Sequence, residues 1–284
     1  MPDSVRAENL IRLGEYYPKL NFGFAGGALS LRGDLFTECC DRSGFTALEI
    51  LPDQFHFASD AQKNLWNKRF HVIHCGTLLD SSLVRQIPEE EESLRREFLR
   101  TVTHLLVRMQ QDSIPAGILD FGLSSILNDP EKKSALARLL TRLHNPLYRT
   151  GRILLLPLHL PCADPEMPEK VMRFLRELMI SQLKVCLRIY PHEISREFSP
   201  YDLAGHLHQE TASVQFRYHA DSGNTLLRAH LVPWLRYFSR TGFTGPFLFC
   251  PFYREDRLAS LQSLACSRLA EELRNGRSSP PERK

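Results

Sequence analysis

Eight short runs of strand-type sequence, each trailed by a run of helical periodicity, recur through this chain at intervals of roughly 25 to 45 residues. Strict β–α alternation calls for a parallel sheet with right-handed crossovers, and eight such units close it into a single (β/α)8 barrel with its helices outside. The strand runs fall at 20–26, 45–51, 70–76, 116–122, 152–161, 184–190, 214–219 and 245–253. Helical runs are expected at 34–42, 60–68, 88–111, 129–143, 168–179, 199–209, 228–238 and 256–273. A short helix within 1–19 would cover the bottom of a barrel built from 20–273, and 274–284 has the composition of a disordered tail. An open, doubly wound sheet is the alternative.

Side-chain alternation gives the strands their faces. In VQFRYHADSGN (214–224), Gln215, Arg217 and His219 share one face while Val214, Phe216 and Tyr218 share the other. The preceding strand repeats the layout, with Arg188, Tyr190 and His192 opposite Val185, Leu187 and Ile189. An apolar face under helices and a charged face running into a loop suit the wall of a barrel near its carboxyl end, where the site is expected. In LNFGFAG, Phe22 and Phe24 point outward and Gly23 and Ala25 inward, and Glu49 of FTALEIL points into the barrel. The fifth strand, RILLLPLHLP, is apolar on both faces.

Composition narrows the partners. With 43% hydrophobic and 24% charged residues and a net charge of +3, nothing demands nucleic acid or a membrane. No run reaches the roughly 18 apolar residues of a membrane span, and the amino terminus lacks a signal-peptide core. Seven cysteines without regular spacing suggest a reducing, cytoplasmic setting. There is no glycine-rich dinucleotide fingerprint, phosphate loop or zinc-finger spacing.

FTALEIL, ending a second strand in glutamate, HVIHCG, a third strand carrying a histidine, and the spacing of all later strands resemble the xylose-isomerase-like barrels. These are sugar and sugar-phosphate isomerases and epimerases, with endonuclease IV-type nucleases in the same superfamily. The resemblance covers about residues 20–273. It implies a divalent metal, zinc or manganese, held by a carboxylate from strand five, an acid from strand six, a His or Asp near strand seven and a glutamate ending strand eight. Here the chain departs from that pattern. Strand five offers Leu156, Pro157 and His159, and strand six has Ile189 at the acid's place, with His192 following. Strand eight has Cys250 and Pro251, and only strand seven, with His219 and Asp221, keeps to the pattern.

The resemblance implies isomerisation or epimerisation of a small carbohydrate by proton abstraction next to a carbonyl. Glu49, His74 and His192 are the candidate catalytic groups. Asp120, Arg188, Tyr190, Arg217 and Tyr253 are the candidate substrate contacts, the arginines suiting an anionic or polyhydroxylated ligand. His159, His219 and Asp221 are the candidate metal ligands. In the competing reading Arg188 and Arg217 pair with Glu49 and Asp120 as a neutralised interior network. Cys75 and Cys250 could be nucleophiles or simply buried thiols. The alternatives are a barrel that binds a carbohydrate or anion without turnover, and an endonuclease IV-like phosphodiesterase. A homodimer is compatible with such a barrel.

Overall fold

Eight parallel strands pair in sequence order and close on themselves: β1 Asn21–Ala25, β2 Ala47–Ile50, β3 Val72–Thr77, β4 Ala116–Ile118, β5 Ile153–Leu160, β6 Leu183–Ile189, β7 Thr211–His219 and β8 Pro246–Phe252. The register Phe22↔Phe247 joins β1 to β8 and seals the barrel. This computed structural model describes residues 20–25, 46–51, 59–70, 72–194, 199–219 and 224–252. The helices expected within 1–19, at 34–42 and at 256–273, the tail, Asp221 and Tyr253 lie outside them. Only the backbone of His219 is described.

The outer layer consists of α1 Asp60–Arg69, α2 Ser81–Gln86, α3 Glu92–Gln111, α4 Leu123–Ile126, α5 Pro130–Thr150, α6 Met167–Leu178, α7 Pro200–Ala204 and α8 Asn224–Arg240. In α3, Phe98, Val102, Leu106 and Met109 form one buried stripe at helical spacing. In α5, Leu136, Leu139, Leu140, Leu143 and Leu147 do the same. The Asp129 carboxylate accepts from the Glu131 and Lys132 amides at 2.9 and 3.2 Å, which starts α5 where the Asp-Pro pair predicts. Between helices and strands lies the main core, where Phe22, Phe216, Phe238, Phe247 and Phe249 pack together. No described helix is long and apolar enough to cross a membrane.

Four helix boundaries depart from expectation. Helix α5 runs past Leu143 to Thr150 because Leu147 and Thr150 extend its buried stripe; Gly151, at φ +64°, then ends it. Helix α3 starts at Glu92 rather than 88, since buried Ile87 and Pro88 form a separate 3-10 turn. Helix α7 stops at Ala204, before Gly205 at φ +50°, and 207–209 forms its own 3-10 turn. Helix α8 begins at Asn224 and continues through Pro233.

Inside the barrel, small residues let the strands close. A Cβ on Gly23 would stand 1.9 Å from the Ala47 carbonyl oxygen, so β1 can lie against β2 only with glycine there. Ala25, Ala47, Leu248 and Cys250 fill one side of the interior, and Ala116, Ile118, Leu155 and Cys186 fill the other. Beside this apolar packing, toward the carboxyl ends of the strands, the interior turns polar.

Candidate functional site

Parallel register carries the alternation of each strand to its neighbours. Glu49 pairs with His74, His159 with Arg188, Arg188 with Gln215, and Arg217 with Cys250, so all of these side chains share the barrel's inner face. The inward position on β6 is therefore Arg188. Ile189, expected at the place of an acid, points outward into the core and is fully buried. Glu49, His74, Asp120, Arg188 and Gln215 are 4%, 3%, 2%, 6% and 4% exposed, so each must find its partners within the protein.

Most do so through one connected chain of hydrogen bonds across the barrel. The Gln215 amide nitrogen donates to Oε2 of Glu49. Arg188 Nε donates to the other end of the same amide, Oε1, at 3.0 Å. Arg188 Nη1 pairs with Oδ2 of Asp120 at 3.1 Å, and Arg85 of α2 reaches the same oxygen at 2.8 Å. Asp120 sits two residues beyond β4, and its Oδ1 accepts the Gly122 amide at 3.0 Å. Gly122 has φ +71°, a conformation that glycine adopts without strain and that leads the chain from this turn into α4.

A second layer lies beside the first. Nε2 of His159 is 3.4 Å from Arg188 Nη1, and because arginine can only donate, Nε2 is the acceptor and Nδ1 carries the proton. The His159 ring stacks on Tyr190 at 5.3 Å and 12°. Arg217 Nη1 donates to the Tyr190 hydroxyl at 2.9 Å. His192 meets the Tyr190 ring edge-on, with Nε2 3.5 Å from Glu193 Oε1.

The electrostatics follow from this geometry. Burial pushes the Glu49 carboxyl above its ordinary value, against the opposing pull of the Gln215 N–H and the charges of Arg188 and Arg217. For Asp120, burial is outweighed by the Arg85 hydrogen bond, the charges of Arg188 and Arg85 and the Gly122 amide, so its carboxyl stays below the ordinary range. Burial lowers His74 to about 4, and burial with the Arg188 charge beside it lowers His159 to about 4. Both histidines are neutral at pH 7. Burial raises Cys186 to about 12 and Cys250 well above an ordinary thiol, which makes both poor nucleophiles.

The sequence candidates thus separate. Glu49, His74, Asp120, Arg188, Tyr190, Arg217 and His159 converge on the inner face and mouth, with His192 at its rim. The position of Arg188 and Asp120 is that of the internal ion pair, whereas Arg217 is paired with a hydroxyl. Two participants carry no assigned role in the sequence: Gln215, which alternation places on the inward face of Arg217, and Arg85, which reaches Asp120 from an outer helix with no pattern to announce it.

The described residues do not suit a divalent metal. No three histidine, cysteine or carboxylate side chains among them group as ligands. The lone pair of His159 Nε2 faces a guanidinium, strands six and eight, expected to supply carboxylates, bring Arg188 and the Cys250 thiol to the interior instead, and Arg217 stands beside them on strand seven. A cation there would meet two fixed positive charges.

No family model matches the chain, and no curated protein sequence matches it. Solved structures do. The 3-keto-D-glucoside 4-epimerase of E. coli superimposes with a TM-score of 0.58 at 14% identity, over 88% of this chain and 99% of that one. A D-psicose 3-epimerase crystallised in the presence of D-fructose gives 0.59 at 12% identity, over 90% and 96%. The D-allulose 3-epimerase of Methylomonas sp. in complex with D-allulose gives 0.61 at 13%, again over 90% and 96%. In strand order and closure this chain shares the (β/α)8 barrel fold of these structures.

Proposed function

We propose that this barrel binds a small carbohydrate at the carboxyl end of its strands and moves a proton on the carbon next to a carbonyl, as in sugar isomerisation or epimerisation. Glu49 is the base, in a mouth that the guanidiniums of Arg188 and Arg217 make positive. The observation that carries this reading is the state of Glu49: one carboxylate oxygen is fixed by Gln215, while Oε1 accepts no hydrogen bond from any described residue. That oxygen faces Gly76, where a Cβ would stand only 3.3 Å away. A buried carboxylate with a raised pKa and one open oxygen is suited to taking a proton from carbon. The structural neighbours, two of them crystallised with a ketohexose, support the same class of ligand.

One observation favours a second reading. Asp120 and Arg188 satisfy each other, so a barrel that binds its ligand without turnover would look similar. The phosphodiesterase alternative has no comparable support, since the described residues group no three metal ligands.

Exchange of a substrate C–H with solvent separates these readings. Ketoses and aldoses, neutral, phosphorylated or carboxylated, are incubated with the protein in D2O and followed by proton NMR. The proton next to the carbonyl is expected to wash out, and Glu49→Gln to slow this by about 10²- to 10⁴-fold. Binding without exchange in the wild-type protein would refute catalysis and leave the second reading.

A further inference from the structure

The charges of the mouth do not balance around Arg217. Among the described residues Asp120 faces two guanidiniums, Arg85 and Arg188, and the Arg188 fork is used on Asp120, Gln215 and His159. Glu49 is bonded to Gln215, and its single charge acts on Arg188 and Arg217 alike, so it cannot balance both. Arg217, only partly exposed on β7, donates to the Tyr190 hydroxyl and pairs with no described carboxylate. Its guanidinium carbon lies 5.4 Å from the Tyr190 ring centroid, and His159 stacks on that ring. The contacts of Arg217 with Tyr190, on which His159 stacks, thus hold the guanidinium in place while the described residues leave most of its planar fork unused. A second polar group also waits for a partner: buried His74 Nδ1, on the inward register position beside Glu49, has no hydrogen-bond partner among the described residues.

We infer that the ligand of this barrel carries an anionic oxygen group, a carboxylate or a phosphate, on its polyhydroxylated chain, and that Arg217 is its anchor. This rests on the site of the proposed function and narrows its substrate class, since with a neutral sugar the three guanidiniums of Arg85, Arg188 and Arg217 would outnumber the two described carboxylates, Asp120 and Glu49. Arg188 is not the anchor: Asp120 already neutralises it.

The test is binding by titration calorimetry with D-fructose, D-glucuronate, D-fructose 6-phosphate and inorganic phosphate, at low and high salt. An anionic sugar is expected to bind about 10- to 100-fold more tightly than D-fructose, the worth of one charge-assisted contact, and to weaken with salt. A preference for the uronate or for the sugar phosphate names the group, and binding of inorganic phosphate as tight as that of the sugar phosphate would overturn the polyol part of the inference. Arg217→Met is expected to reduce the anionic sugars to the level of D-fructose, with Arg217→Lys recovering part of the loss. Tyr190→Phe, which keeps the charge and removes its hydroxyl partner, is expected to retain the preference in weakened form. Equal affinity for neutral and anionic sugars, or no binding of either anionic sugar, overturns the inference, as does a preference that survives in folded Arg217→Met. Binding of an anionic sugar without proton exchange would sink the catalytic reading alone.

Discussion

Acidification from pH 7 to pH 5 is expected to remove about 2 kcal/mol of folding stability through His74 alone. In the folded protein burial lowers this histidine to about 4 from 6.5, so between those values the unfolded chain binds the proton and the folded barrel does not. Stability is therefore fully present above pH 6.5, declines as pH falls toward 4, and reaches a loss of about 3 kcal/mol there, at about 1.4 kcal/mol for each whole pH unit. His159 acts in the same direction, but it is less buried and its contribution is smaller. Glu49 opposes both: its raised folded pKa makes the barrel the better proton acceptor above 4.5, so its contribution falls as pH rises. A wild-type profile mixes these effects, whereas the difference between wild type and His74→Gln isolates the histidine. Urea denaturation of both proteins at half-unit intervals from pH 7.5 to 4.5 gives that difference. It is expected to change by about 2 kcal/mol between pH 7 and 5, the variant being less sensitive to acid. A difference that stays constant across the range would show that His74 is solvated or paired when protonated, and the account of the barrel interior as closed at that point would fall.

Two further predictions concern the same interior. Asp120→Asn leaves Arg188, with its side chain 7% exposed, as a buried cation without its carboxylate and is expected to cost about 3–5 kcal/mol; Arg188→Met on top of it removes the orphaned charge and is expected to recover most of that, so that additive losses in urea melts would contradict the pairing. Iodoacetamide at neutral pH is expected to leave Cys186 and Cys250 unmodified in the folded protein by mass spectrometry, and labelling at the rate of a free thiol would reopen Cys250 as a nucleophile.

Period-two alternation made the barrel and much of its inner face legible. It needs only the chain's own order, and in a closed parallel sheet every strand inherits its neighbour's orientation. Glu49, Arg188, Gln215 and Arg217 consequently fall on the inward face that alternation assigns them. Ile189, which stands where the family pattern has an acid, falls on the outward, apolar face that alternation assigns it, with Arg188 inward. What the sequence could not convey is which inward groups meet. Glu49 and Gln215 are 166 positions apart, Arg188 and Asp120 are 68 apart, and each pair forms only because the barrel curves its strands toward a common axis. Arg85 was invisible for a related reason: on a helix, its position reads as an exposed basic residue, and half of its side chain is exposed even while its tip holds Asp120.

Gln215 explains how two carboxylates with opposite behaviour coexist on one inner face. A guanidinium only donates, so the atom that the amide turns toward Arg188 must be its oxygen; the nitrogen is then left facing Glu49 and must donate to it. The direction of each bond is fixed by its neighbour, and the amide cannot flip without breaking both. A leucine at 215 would leave Glu49 and Arg188 without these partners, and a glutamate would place a second negative charge against Glu49. Arg188 in turn donates through Nη1 to Asp120, which keeps that carboxylate ionised, while Glu49 receives a neutral amide instead of a cation and stays raised by burial. One residue with both a donor and an acceptor therefore separates a structural acid from a chemically available one, and it does so on a wall where carboxylate ligands to a metal had been expected.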